Sequence, residues 1–150
     1  MSTFLHFAYG SNLSLDRIRS RCRSALPESV GFVQQRQLRF HKIGRDGTGK
    51  ADAFWTGQTS DCVWGVVYRC LLEEQPILDR AESLGVGYEQ VGVEVHTKTG
   101  TIETFLYQAK SERIDANLSP AAWYHLHVVN GAREHSLPLK YQRMIANYDE

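Results

Sequence analysis

A chemically suggestive segment lies near the start of the chain, where the sequence reads FAYGSNL over residues 7–13. Its glycine, Gly10, lets the backbone turn sharply and approach a ligand closely. Ser11, Asn12 or Ser14 can begin a helix, and the first N–H groups of a helix have no partner inside it. Several N–H donors then converge on one point, which suits a carboxylate or a developing oxyanion. The same pattern is also typical of an ordinary strand-to-helix turn with a serine cap.

Cysteine and histidine give weaker signals of chemistry. The three cysteines, Cys22, Cys62 and Cys70, are odd in number and lack CxxC spacing, which argues against a disulfide framework or a zinc knuckle. Their apolar surroundings favour packing over nucleophilic catalysis. His125 and His127 are two apart in a predicted helix, where that spacing points the rings in different directions. We therefore predict no metal site. The sequence also contains no nucleotide-binding loop that would imply another cofactor.

Two stretches of the chain concentrate basic residues. They contain Arg17, Arg19, Arg21 and Arg23 in the first stretch and Arg36, Arg39, His41 and Lys42 in the second. Arginines at alternate positions spread around a helix, and no aromatic residues are interleaved with them for base stacking. The pattern favours a solvated face, and an RNA-binding module is the alternative.

The composition bounds the class of protein. A chain of 150 residues fits a single domain, residues 1–150, that can bury a sizeable core. Its 17 basic and 17 acidic residues cancel, so the totals recruit neither nucleic acid nor an anionic membrane. The N-terminus lacks the basic and apolar regions of a signal peptide, and no stretch is long enough for a transmembrane helix. These features predict a cytoplasmic protein without nucleic-acid or membrane partners.

Interleaved strands and helices must position the loop and the basic residues. Hydrophobic periodicity predicts a first strand over residues 4–9 and a helix over 14–22. Residues 30–43 are compatible with one strand or two, and a polar loop marked by glycines follows them. Further strands are predicted over 51–54 and 63–68.

The second half of the chain carries stronger start and stop signals. A proline in the first turn and a glycine beyond the end bound a short helix over 75–84, which should end near Glu82. Alternating valines predict a strand over 91–96, and residues 102–107 pair back on it as a hairpin.

Two more helices complete the predicted elements. One begins after Ser119-Pro120 and ends at Gly131, and the other begins at Pro138. Too few strands alternate with long helices for a doubly wound parallel sheet, whereas hairpins and glycines suit a curved antiparallel sheet. We therefore predict an α+β fold, with a small closed or curved, mostly antiparallel β-barrel and peripheral helices.

The run FAYGSNL resembles the signature of the γ-glutamylcyclotransferase family, and four further segments match that family in the same order. These segments are VWGVVY at 63–68, LDRAE at 78–82, GY at 87–88 with VEV at 93–95, and GARE at 131–134 with LPLKYQ at 137–142. The resemblance implies a compact β-barrel with a pocket at one mouth, and a homodimer. It also implies a small-molecule γ-glutamyl substrate, whose own α-amino group attacks its γ-carbonyl to give 5-oxoproline and a free amine without a cofactor.

The resemblance also implies roles for individual residues. Glu82 aligns with the catalytic glutamate of the family and is expected to act as general base and then general acid. A place near a helix C-terminus and burial in a pocket would both raise its pKa. Its nearby rivals, which only the alignment separates from it, are Glu73, Glu74, Asp79 and Glu89. The implied substrate-binding residues are Ala8, Tyr9, Gly10, Ser11, Asn12, Leu13, Tyr88 and Tyr124, and Tyr107 is a weaker candidate.

Several alternatives stay open at this point. The N–H groups of the loop could serve the glutamyl carboxylate or the oxyanion. Branches of the family act on free γ-glutamyl amino acids, on γ-glutamyl-lysine amides, on glutathione, or in antibiotic tailoring that removes a γ-glutamyl protecting group. The Gly-Ser-Asn-Leu form resembles the first branch most. A non-catalytic γ-glutamyl or carboxylate sensor would keep the loop without needing Glu82 as a base.

Overall fold

The computed structural model describes residues 1–148, in which strands alternate with short helices. In chain order the elements are β1 (Thr3–Ala8), α1 (Leu15–Arg19), β2 (Leu26–Gln34), β3 (Arg36–Ile43), β4 (Gly49–Trp55), β5 (Cys62–Leu71), α2 (Gln75–Ala81), β6 (Tyr88–Thr97), β7 (Gly100–Ala109), α3 (Ala122–Glu134) and α4 (Leu139–Ala146). Short 3-10 helices lie at Ser11–Leu13, Leu72–Glu74 and Ser111–Arg113. No helix within these 148 residues is long and apolar enough to cross a membrane.

The strands form a curved, mostly antiparallel sheet. Five of them pair in the order β1-β5-β2-β6-β7, and β3 and β4 form a separate antiparallel hairpin. The two edge strands of the larger sheet, β1 and β7, approach each other. Thr104 Oγ1 on β7 donates a 2.7 Å hydrogen bond to the Leu5 carbonyl on β1. Just beyond β1, the Tyr9 hydroxyl donates to the Tyr107 carbonyl. The predicted α+β class, with a curved, mostly antiparallel sheet and peripheral helices, is confirmed.

Strand β5 anchors β1, which leads into the FAYGSNL loop. It pairs antiparallel with β1 on one edge and with β2 on the other. Val63, Val66 and Val67 are fully buried on its two faces, where β-branched side chains pack well. At Gly65 the strands come especially close, since a Cβ there would lie 2.3 Å from the Ala8 carbonyl oxygen. The end of β1 is therefore held tightly against the core.

The predicted strands agree with the structure, and the ambiguous region resolves into two strands. Residues 30–43 fall in β2 and β3, which are separated at Gln35, where φ is 66°. The predicted hairpin is confirmed as β6 and β7, which pair antiparallel along their whole length.

The first two helices differ from the predictions mainly in length. The helix predicted over 14–22 is wrong at its C-terminal end, because α1 stops at Arg19 and the chain then turns. The Ser14 side chain caps α1 by accepting a 3.4 Å hydrogen bond from the Arg17 N–H. Helix α2 ends one residue before Glu82, so Glu82 is its C-cap, as the predicted end near that residue required.

The prediction that Gly131 ends a helix is wrong. Helix α3 continues to Glu134, and Gly131 is buried within it. A Cβ at this position would lie 2.5 Å from the Cβ of Leu13 and 2.6 Å from the nitrogen of Ser14. Glycine is therefore required by the close packing of α3 against the FAYGSNL loop. Helix α3 also holds the start of α1 just after the loop, because the Glu134 carboxylate accepts a 3.2 Å hydrogen bond from the Leu15 N–H.

Gly131→Ala should lower the free energy of unfolding by about 1–3 kcal/mol, because well-packed contacts resist an added methyl group. The better helix propensity of alanine, about 1 kcal/mol, acts in the opposite direction and only partly offsets this loss. Urea denaturation followed by far-ultraviolet circular dichroism measures the change.

Gly92→Ala is the matched control for this substitution. The nearest atom to a Cβ at position 92 is 4.0 Å away, so the stability of this variant should hold or rise. Unchanged stability of Gly131→Ala would contradict the packing of α3 on the loop.

Candidate active site

The FAYGSNL loop leaves backbone N–H groups without protein acceptors. The N–H groups of Leu13 and Ser14 donate to the carbonyls of Gly10 and Ser11, at 3.0 and 3.1 Å, which closes a 3-10 turn. By contrast, the N–H groups of Gly10, Ser11 and Asn12 take part in no hydrogen bond among residues 1–148. Three adjacent donors are therefore free to bind an anion or a carbonyl oxygen.

Two neighbouring cavities adjoin this loop. The inner cavity, of about 30 Å³, is lined by His6, Phe7, Ala8, Tyr9, Gly10, Ser11, Asn12, Ala51, Glu82, Tyr88, Tyr107 and Tyr124. The outer cleft is far larger, about 590 Å³. Ser11, Glu82, Tyr88 and Tyr124 line both spaces, so these four residues mark the junction between them.

Strand β4 forms one wall of the inner cavity through Ala51. A Cβ on Gly10 would lie 2.8 Å from the Cβ of Ala51, so only glycine allows β4 to approach the loop this closely. The backbone of Ala51 then fixes two aromatic rings. Its N–H donates a 2.9 Å hydrogen bond to the Tyr124 hydroxyl, and its carbonyl accepts one from the Tyr88 hydroxyl.

The tyrosines of the inner cavity differ in whether their hydroxyl protons are free. Tyr88 and Tyr9 donate theirs to backbone carbonyls, and Tyr107 donates to Asp79 Oδ1 at 2.6 Å. The Tyr124 hydroxyl accepts a hydrogen bond and donates none within residues 1–148. Burial raises the pKa of Tyr124 to about 12, so the phenol keeps its proton. Tyr124 is thus a free donor at the junction, and the other three rings serve as walls.

Glu82 is held at the junction by a chain of oriented hydrogen bonds. The Asn12 amide nitrogen donates to Glu82 Oε1 at 2.8 Å, and the Asn12 amide oxygen accepts from Arg21 Nη1 at 2.7 Å. A guanidinium can only donate, so it fixes the amide oxygen towards Arg21 and the amide NH₂ towards Glu82. This arrangement presents a donor to the carboxylate and suits its ionised form.

Burial opposes that ionised form. It raises the pKa of Glu82 above the ordinary glutamate value, although Arg21, the Asn12 hydrogen bond, Lys42 and Arg17 each lower it. A carboxyl group whose pKa moves towards neutrality exchanges protons more readily under physiological conditions. Glu82 therefore has the electrostatic properties of a general acid or base.

The other acidic residues near Glu82 in the sequence are used elsewhere. Glu74 accepts hydrogen bonds from Ser24, and Asp79 accepts one from Gln90 at 2.9 Å as well as that from the Tyr107 hydroxyl. The four rivals named above, Glu73, Glu74, Asp79 and Glu89, are absent from the lining of the inner cavity. Among residues 1–148, Glu82 is the one carboxylate that lines it.

The structure brings together most of the residues that the sequence suggested. The ones that line the inner cavity are Ala8, Tyr9, Gly10, Ser11, Asn12, Glu82, Tyr88 and Tyr124, together with the weaker candidate Tyr107. Leu13 does not reach either cavity, because its side chain is fully buried in the core. Its carbonyl oxygen is also occupied, since it accepts from the Tyr68 hydroxyl and lies 3.0 Å from His135 Nε2. The structure therefore assigns Leu13 to the support of the loop.

His6 and Ala51 line the inner cavity without having been suggested by the sequence. His6 precedes Ala8 by two positions on β1, and the two-residue period of a strand could have placed them on one face. Its ring packs against the rings of Phe105 and Tyr107, at centroid distances of 5.3 and 5.2 Å. Burial lowers the pKa of His6 to about 3, so its imidazole is neutral.

The basic residues form the predicted solvated face only in part, since Arg19, Arg23 and Arg39 are exposed. Lys42 is only 8% exposed, and Arg36 and His41 are also buried. Arg17 and Arg21 line the outer cleft. A bulge between Phe40 and Lys42 interrupts the register of β3 with β4, and bulges re-aim side chains.

Candidate metal ligands are dispersed in the described part of the chain. Within residues 1–148, no group of three or more His, Cys, Asp or Glu side chains is close enough to hold a metal ion. His125 Nε2 lies 2.7 Å from the Ile145 carbonyl oxygen, so this histidine links α3 to α4. The three cysteines are unpaired thiols.

Comparison with known proteins identifies the family. Residues 62–145 match the AIG2-like family. The chain is 34% identical to the gamma-glutamylcyclotransferase of Bos taurus and 33% identical to that of Homo sapiens, and each alignment covers 95% of this chain and 77% of the relative. A solved structure of a gamma-glutamyl cyclotransferase superimposes with a TM-score of 0.88 at 31% identity, over 97% of this chain and 88% of that one. The chain therefore belongs to the AIG2-like family and to the enzyme class of the gamma-glutamylcyclotransferases.

Proposed function

We propose that this protein converts a γ-glutamyl amino acid to 5-oxoproline and a free amino acid, with Glu82 as general base and then general acid. The observation that carries the proposal is the position of Glu82. It lies at the junction of the two cavities, is oriented by Asn12, and adjoins the free N–H groups of the loop. The relatives named gamma-glutamylcyclotransferase support the γ-glutamyl part of the substrate.

The reaction needs no nucleophile from the protein. The α-nitrogen of the glutamyl group forms a bond to the γ-carbon, and the bond from that carbon to the leaving nitrogen then breaks. Ring closure within one molecule is accelerated when the two reacting atoms are held close together. The walls formed by Tyr88 and Tyr124 at the junction would favour such a folded glutamyl group.

Glu82 can supply the proton transfers. The α-amino group arrives as an ammonium ion without a lone pair, so a base must first remove a proton from it. After the attack the ring nitrogen still carries one proton too many. The same carboxyl group returns its proton to the leaving nitrogen, which departs as a neutral amine, and the regenerated carboxylate then takes the second proton from the ring nitrogen and releases it to solvent. The raised pKa of Glu82 makes these steps accessible near neutral pH.

The loop and Tyr124 would stabilise the negative charge of the substrate. The free N–H groups of Gly10, Ser11 and Asn12 can receive an oxygen of the glutamyl group, either of its carboxylate or of the γ-carbonyl as that oxygen gains charge. The Tyr124 hydroxyl adds a further donor at the junction. Because these donors are fixed by backbone packing, they need little reorganisation during the reaction.

Glu82→Gln should abolish most turnover and leave the fold intact. We expect a fall in kcat of at least about 100-fold, the usual scale of general acid–base catalysis. The folded protein raises the pKa of Glu82, so above pH 5 it disfavours the carboxylate relative to the unfolded chain. The neutral amide removes that penalty, and Tm should not fall. Chromatographic assay of 5-oxoproline and thermal denaturation measure the two effects.

Glu73→Gln is the control, because Glu73 is exposed just before α2 and this substitution removes the same negative charge. It should keep wild-type activity. Wild-type turnover by Glu82→Gln would exclude Glu82 as the base. Substrate binding without turnover by the wild-type protein would instead indicate the non-catalytic sensor.

The acidic limb of the pH profile of kcat/KM should lie above pH 4.5, because the base must be ionised and its pKa is raised. Arg21→Met should move this limb to higher pH, because losing a nearby cation favours the protonated carboxyl group. Initial rates between pH 4 and 9 would measure the shift.

Arg23→Met serves as the control, because Arg23 is exposed and lines neither cavity. Its profile should overlay that of the wild type. A limb that moves to lower pH in Arg21→Met would contradict the assignment of that limb to Glu82.

A further inference from the structure

The outer cleft concentrates positive charge in a chain that carries none overall. Six cationic residues line it against two acidic ones, Asp46 and Glu82, whereas the whole chain has 17 of each sign. The cations are Arg17, Arg21, Lys42, Arg45, Lys50 and Arg80. A recess of about 590 Å³ has the size of a small-molecule site. Its ligand should therefore be small and anionic.

Lys42 is the most unusual of these cations. It is only 8% exposed, and its ammonium group has no hydrogen bond or ion pair with any residue from 1 to 148. The ammonium nitrogen lies 4.9 Å from the centroid of the Tyr88 ring. A Cβ on Gly87 would lie 2.7 Å from that nitrogen, so glycine leaves the space that the ammonium occupies. The stem of the side chain is buried while the ammonium nitrogen reaches the surface of the cleft, where an anionic ligand can pair with it.

The other cations of the cleft divide into engaged and free groups. Arg21 is bound to Asn12, and Lys50 is paired with Asp46 at 3.3 Å. Arg17 contacts the Ser11 hydroxyl at 3.4 Å, and its guanidinium lies over the Trp123 ring. Arg45 and Arg80 join Lys42 in having no ion pair within residues 1–148. These three also line an adjoining groove of about 570 Å³, so they lie where the two spaces meet.

We propose that the leaving amine is an acidic amino acid whose side-chain carboxylate binds Lys42. This proposal rests on the proposed function, which places the scissile bond beside Glu82 and directs the leaving group into the outer cleft. A neutral leaving amino acid brings one carboxylate to this cleft. The free cations Lys42, Arg45 and Arg80 exceed that demand, and a second carboxylate on the leaving residue would use the most buried of them.

Matched substrates that differ only in charge test the proposal. The pairs are γ-glutamyl-glutamate against γ-glutamyl-glutamine, and γ-glutamyl-aspartate against γ-glutamyl-asparagine. The wild-type protein should give a kcat/KM about tenfold or more higher for the acidic member of each pair, the scale of one charged hydrogen bond. The difference should appear mainly in KM, because Lys42 is placed to hold the leaving group and not the reacting atoms.

Lys42→Met should remove most of this preference by lowering kcat/KM more for the acidic substrates than for the amides. Lys98→Met is the control, because Lys98 is exposed on the turn between β6 and β7 and this substitution removes the same positive charge. It should retain the full preference. Arg80→Met, which changes an exposed residue of the cleft, should reduce the preference in part and gives a second test should Lys42→Met fold poorly.

Equal or higher kcat/KM for the amide members with the wild-type protein would overturn the acidic leaving group and leave the cyclotransferase function standing. A preference that survives intact in both Lys42→Met and Arg80→Met would overturn the role of these cations. Absence of 5-oxoproline from all four substrates would overturn the acidic leaving group, and its absence from γ-glutamyl-alanine as well would refute the proposed function.

Discussion

The site depends on the close packing of the FAYGSNL loop between two elements. The packing leaves no room for a side chain at Gly10 or at Gly131. Strand β4 approaches the loop at Gly10, and helix α3 approaches it near Leu13 through Gly131. Within this confined loop, the N–H groups of Gly10, Ser11 and Asn12 stay unpaired among residues 1–148. The same confinement places Asn12 beside Glu82, which comes from the end of a different helix.

A balance of charges governs the chemistry that this packing makes available. Burial disfavours the ionised form of Glu82, and the surrounding cations and the Asn12 amide favour it. The result is a carboxyl group with a raised pKa, positioned between the small inner cavity and the wide outer cleft, both of which it lines. The cations that tune Glu82 from the cleft side also make that cleft attractive to anions. Acid–base chemistry and substrate selection therefore share one electrostatic environment.

Local patterns were sufficient to predict most of the strands, and the resemblance to a known family supplied most of the residues that line the inner cavity. Alternating valines predicted the β6–β7 hairpin, and ordered matches to a known family drew attention to Glu82 and the loop. The features that could not be predicted depend on contacts between distant segments. Gly131 resembled a helix end because only the folded chain shows the loop packed against it. Lys42 resembled a solvated residue because its burial depends on a bulge in β3 and on the space beside Gly87.

A cyclotransferase differs from a hydrolase in one step, because the glutamyl amine, and not water, attacks the γ-carbonyl. Mass spectrometry of the products formed in ¹⁸O-labelled water distinguishes the two nucleophiles. Intramolecular attack predicts 5-oxoproline that contains no ¹⁸O, together with an equal amount of the released amino acid. Glutamate carrying one ¹⁸O atom in its γ-carboxyl group would show hydrolysis and would exclude intramolecular attack.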